Sequence, residues 1–167
     1  MPTITNNILA IDPGTREIGF AVLSGNELLD YGVKRVSKQS TTRALMQKVD
    51  VIVTRLFVQY SPALLAIKQP VVVQYSGRLV EAVGKQIKST GERHGLTIYE
   101  FEPKAIRQFV CQSPKATKQD MAKIIADRCL ELARYADKKN KEEALYWGRM
   151  FDAIAVGLMS AEEVKST

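Results

Sequence analysis

The sequence predicts an α/β fold: a mixed five-stranded sheet with helices on both faces. Three strand-like runs follow one another at the amino end, separated only by turn residues. Two later apolar runs, residues 63–67 and 96–101, each follow a stretch with helical periodicity. A meander therefore feeds strands that alternate with helices. At 167 residues the chain is the size of one domain, taken here as 1–167, with no repeat or low-complexity linker.

The elements follow in order. Residues 7–12 are a short apolar run that ends on Asp12-Pro13-Gly14, which is turn chemistry. Residues 18–23 alternate, with Ile18, Phe20 and Val22 on one face. Gly25-Asn26 reads as a hairpin turn into a third strand through Leu28, Leu29, Tyr31 and Val33. Leu45, Val49, Ile52, Val53, Leu56, Phe57 and Tyr60 then form a core-facing helical stripe, stopped by Ser61-Pro62. A buried strand over 63–67 exits at Lys68. A second helix spans 76–93 with Leu79, Val80, Val83 and Ile87 inward and Gly95 past its end. Leu96 to Phe101 is the fifth strand, and Pro103 opens a short helix from Lys104 to Val110. Thr117 caps a third long helix with an inner stripe of Met121, Ile124, Ile125, Cys129 and Leu132. A charged connection, Asp137 to Glu143, leads to a last helix carrying Trp147, Phe151, Ile154 and Leu158.

Composition narrows the function classes. Hydrophobic residues at 46% and charged residues at 25% are ordinary for a globular protein. No run is long enough for a membrane span and no secretory signal is readable, so a cytoplasmic protein is expected. Cys111 and Cys129 have no metal-ligand spacing, and with His94 as the single histidine a zinc site is not expected. The net charge of +6 is concentrated between residues 84 and 149, which suits a polyanion such as nucleic acid as well as a plain solvated surface.

Ile11-Asp12-Pro13-Gly14-Thr15-Arg16-Glu17-Ile18-Gly19, the strand end Ala66-Ile67-Lys68-Gln69-Pro70 and the helical Met150-Phe151-Asp152-Ala153-Ile154-Ala155 resemble the RuvC family of Holliday-junction resolvases, within the RNase H-like superfamily. The resemblance spans nearly the whole chain, with softer similarity through residues 102–107 and 116–119. It implies an RNase H-like fold, a homodimer joined largely through the helix at 76–93, branched DNA as partner, and Mg²⁺ or Mn²⁺ if the protein cleaves. Cleavage by two metals needs carboxylates holding ions about 3.5–4 Å apart. The resemblance places such acids at the end of the first strand, at the end of the fourth, and at i and i+3 on the last helix. Here those positions hold Asp12, Lys68, Arg149 and Asp152.

Their formal charges sum to zero, and Lys and Arg offer donors with no acceptor. Asp12 and Asp152 remain as candidate catalytic and metal-ligating residues, enough for a weak single-ion site. Lys68 is expected to bridge the two acids, the alternative being a side chain swung into solvent. Arg149 is open to the same role or to a phosphate. Glu142 and Glu143 lie nine or ten residues before Asp152, roughly 13–15 Å away along a helix. Glu17, Glu100 and Glu102 are the other candidate substitutes.

For DNA, Lys104, Arg107, Lys115 and Lys118 form the candidate phosphate-contacting cluster, and in the resembled family this region lies beside the DNA. Thr117 and the first amides of its helix are a candidate anion site, and Lys85, Lys88 and Arg93 a candidate extension. Tyr75 lies where the family places junction-wedging residues, and is open to base stacking or to packing. Tyr146 and Trp147 are expected to pack. Two functional readings result: a RuvC-like protein that binds branched DNA with cleavage weak or lost, and an active Mg²⁺-dependent crossover-junction endonuclease with a remodelled site.

Overall fold

The computed structural model describes residues 6–71 and 75–166, with the side chains of Tyr75 and Ser76 outside the described set. Its five-stranded sheet has the order β3-β2-β1-β4-β5. β1 (Asn7–Asp12), β2 (Glu17–Ser24) and β3 (Glu27–Arg35) make the antiparallel meander. β4 (Leu64–Lys68) joins β1 in parallel and β5 (Thr97–Phe101) joins β4 in parallel. Among the described residues no helix is long and apolar enough to cross a membrane.

Alternation along the strands divides the core in two. Leu9, Ile11, Ile18, Phe20, Val22, Leu65 and Ile67 pack beneath α1 (Thr42–Tyr60) and α2 (Tyr75–Arg93). Ile8, Ala10, Ala21, Leu23, Leu64 and Ala66 face the other side, under α3 (Pro103–Cys111), α4 (Lys118–Arg128) and α6 (Lys141–Ser166). A short 3₁₀ turn, Leu130–Leu132, and α5 (Ala133–Ala136) connect α4 to α6.

The second face is unusually small at its centre, and that sets how close α6 approaches. A Cβ at Gly19 would collide with the backbone carbonyl of Arg149, and one at Gly157 would collide with Leu23. Strand glycine is therefore required where helix backbone lies against strand backbone. The last helix consequently sits low on β1 and β2, and its Met150–Gly157 run is buried on every side.

Three sequence expectations are corrected. The third long helix does not run to Leu132: it ends at Arg128, Cys129 is extended, and the chain re-enters helix through the 3₁₀ turn. Cys129 and Leu132 still pack toward the core, so their apolar spacing was sound while the helix joining them is broken. Leu79 is not inward but 36% exposed, because α2 only meets the sheet from Val83 onward. Lys68 is the last residue of β4 rather than a residue beyond it, which fixes its side-chain direction.

Candidate functional site

Strand parity brings the central residues together. In β1, Ile8, Ala10 and Asp12 point to the α6 face; in β4, Leu64, Ala66 and Lys68 do the same. The parallel register pairs Ile11 with Ile67, so Asp12 and Lys68 end adjacent strands side by side. From above, α6 lowers Asp152 onto the same spot. Both carboxylates are 3% exposed.

Lys68 Nζ donates to Asp152 Oδ2 at 2.7 Å and lies 3.8 Å from Asp12 Oδ1. The expected bridge between the two acids is therefore present, and the solvent-directed alternative is not. Arg149 Nη1 donates to the Pro13 carbonyl at 3.0 Å and lies 3.8 Å from Asp12 Oδ2. Its guanidinium rests on Gly14, where a Cβ would meet it. Arg149 thus holds the β1–β2 turn in place as well as countering Asp12.

Lys118 adds a third cation, its Nζ 4.0 Å from Asp152 Oδ2. Its membership in the central cluster was not read from the sequence, where it appeared only as a phosphate contact. The readable signal was its position as the first residue after the Thr117 cap; what it faces depends on where α4 packs against α6.

Electrostatics follow from burial. Burial pushes the Asp12 carboxyl up from 3.8 to about 6; Lys68 pulls it back, Asp152 pushes it up, and Arg149 and Lys118 pull it down. For Lys68, burial alone would lower the pKa, but Asp12 and Asp152 outweigh it, and the ammonium is held above its ordinary 10.5. Lys68 therefore stays charged at neutral pH.

The outlying candidates divide. Lys104, Arg107 and Lys115 make no ion pair among the described residues; Arg107 lies beside Lys68 and Asp152 in a small cleft closed by Pro103, Ile106 and Met121. Lys85, Lys88 and Arg93 are each tied to an acid, Glu81 at 3.5 Å, Glu100 at 2.7 Å and Asp50 at 2.6 Å. That proposed extension is already neutralised within the chain. Thr117 and Asp120 form a reciprocal capping box, so the head of α4 holds its own carboxylate where a phosphate was expected. Tyr75 begins α2, and its side chain lies outside the described residues.

Among the described residues no substitute acid joins Asp12 and Asp152 in a group that could hold a metal ion. Glu100 is bound to Lys88, and Glu142 and Glu143 stand in the first turn of α6. Tyr146 and Trp147 pack as expected, with ring centroids 4.9 Å apart. His94 accepts or donates at Nδ1 to the Thr90 carbonyl, 2.8 Å away, at the end of α2.

A meander followed by two parallel strands, with the carboxyl-terminal helix lying across the central strand, is the RNase H-like class of fold. Within it, the family model described as crossover junction endodeoxyribonuclease RuvC matches residues 8–158, and the chain belongs to that family. RuvC of Cytophaga hutchinsonii is 30% identical over 131 residues, covering 74% of this chain and 65% of that protein. The chain thus spans just under two thirds of that relative's length. The Thermus thermophilus RuvC structure superposes with a TM-score of 0.74 at 17% identity, covering 96% of each chain. T. thermophilus RuvC in complex with Holliday junction substrate gives 0.74 at 20% identity, over 96% of this chain and 95% of that one.

Proposed function

We propose that this protein binds branched DNA of the Holliday-junction type and that its central cluster leaves strand cleavage weak or absent. The carrying observation is the Lys68 ammonium, hydrogen-bonded to Asp152 and 3.8 Å from Asp12. A cation of the chain's own stands between the two acids that a divalent cation would need.

The Mg²⁺ or Mn²⁺ implied by the family does not fit this donor set. Two carboxylates face three cations, and among the described residues no three His, Cys, Asp or Glu side chains are grouped to hold a metal ion. An incoming divalent ion would have to break the Lys68–Asp152 bond and sit against positive charge. With a zero or positive local charge, the centre favours an approaching phosphodiester with no ion to bridge it.

DNA binding is supported by the family, by the junction complex of the T. thermophilus relative, by Arg107 in the cleft beside Lys68 and Asp152, and by Lys104 and Lys115, which make no ion pair among the described residues. A single domain over 1–167, a homodimer joined through α2, and a cytoplasmic location complete this reading. The active endonuclease with a remodelled site is the second reading, and the activity named in the family's description favours it.

Calorimetric titration with Mg²⁺ or Mn²⁺, with Asp12→Asn as control, separates the two. No ion binding, together with mobility-shifted but uncut four-way junction, is expected. Two ions bound by the parent and lost in the control, with junction cleavage, would overturn the binding-only reading.

A further inference from the structure

Next to the centre, a groove opens between the head of α4, α5 and the first half of α6. Its volume is about 130 Å³, and its lining includes Lys118, Tyr135, Lys138, Lys141, Leu145 and Gly148. Lysines rim it and apolar side chains floor it. Leu145 is 57% exposed there, a large apolar side chain left facing solvent. A Cβ at Gly148 would meet nothing within 4 Å, so a glycine in mid-helix keeps the floor open.

The charges are lopsided. Lys138 Nζ lies 4.0 Å from Glu143, whose side chain is 57% exposed, a contact that solvent largely screens. Lys141 makes no ion pair among the described residues. Lys118 belongs to both places: it rims the groove and stands 4.0 Å from Asp152. The groove is therefore continuous with the central cluster. Tyr135 is braced from behind by Trp147, their ring centroids 4.3 Å apart.

We propose that this groove receives one unpaired base of a DNA strand whose backbone passes Lys118, with Lys138 and Lys141 on the flanking phosphates. The proposal rests on the DNA-binding reading above and adds which part of the DNA is held, and where. Cations tracking a backbone beside an aromatic and aliphatic floor suit a base that has left its stack. Continuity with the centre favours a DNA strand over a protein segment, since a strand laid across Asp12 and Asp152 leads directly past Lys118.

Trp147 is the only tryptophan of the chain, so its fluorescence reports on the groove through Tyr135. The intact protein is titrated with an oligothymidylate, and separately with a four-way junction followed by gel mobility. Expected is quenching by the oligothymidylate, weakened about tenfold in Gly148→Leu, which fills the groove and replaces a poor helix former. Lys141→Glu, at an exposed position, is the second variant and should show a similar loss. Junction binding with oligothymidylate affinity unchanged in both variants overturns the groove and leaves the DNA-binding reading intact. No binding of either DNA by the parent overturns both.

Discussion

Replacing Lys68 by methionine keeps a similar stem and removes only the ammonium. Asp12 and Asp152, each 3% exposed, would then face one another with Arg149 at 3.8 Å from the first and Lys118 at 4.0 Å from the second. Breaking a buried ion pair from one side costs about 3–5 kcal/mol, because the remaining charge is left without its partner. The protein has one escape, which is to protonate Asp12. Burial already lifts that carboxyl from 3.8 to about 6, so Asp12 contributes stability below its unfolded pKa that is lost as pH rises through about 6. Without the pull of Lys68 the window moves to higher pH. Lys68→Met should therefore lose about 3 kcal/mol at pH 8 and roughly half as much at pH 5, where Asp12 holds a proton. Urea denaturation of both proteins at the two pH values measures it. An equal loss at both, or a loss under about 0.5 kcal/mol, would refute the coupling of Lys68 to buried charged acids.

Removing Lys104 and Lys115 should weaken binding to all DNA shapes alike and lower the slope of log affinity against log salt by roughly 1 for each, measured by fluorescence anisotropy over a salt series. Ser160 is fully buried and its Oγ has no partner among the described residues. Ser160→Ala should thus leave stability unchanged or raise it by about 1 kcal/mol in thermal melts, and a loss would show that the hydroxyl is bonded after all. Thr90 is fully buried, donating to Asp50 at 2.6 Å and lying 2.9 Å from the Gln86 carbonyl. Thr90→Val should cost about 1–3 kcal/mol and return the Asp50 carboxyl, now held low chiefly by that bond, toward its ordinary value in an NMR pH titration.

Much of the centre was legible because one residue type in one place has few meanings. Turn chemistry after Asp12, a fully apolar fourth strand and the apolar helix around Asp152 gave the elements, the resemblance to the RuvC family pointed to the four positions on them, and the charge of each was plain. The two lysine groups were not equally readable. Lys88 and Lys104 look alike in sequence, but Lys88 lies 2.7 Å from Glu100 across α2 and β5, while Lys104 makes no ion pair among the described residues. Helix α4 was overextended for a related reason: Cys129 and Leu132 keep an apolar spacing that a helix would give, and a 3₁₀ turn satisfies it as well.

What the sequence determined by itself was the order of elements, the two-sided core and the charges carried at Asp12, Lys68, Arg149 and Asp152. These depend on periodicity and residue identity, which are local. Only the tertiary structure decided that Lys68 turns inward onto Asp152, that Arg149 is spent on the Pro13 carbonyl, and that Lys118 joins the cluster and opens onto a groove. Those outcomes depend on how low α6 rides on β1 and β2, a distance set by Gly19, Ala10 and Gly157 from three separate stretches of chain. Packing across such separations leaves no periodic trace, so the partners of a buried charge are settled only when the elements meet.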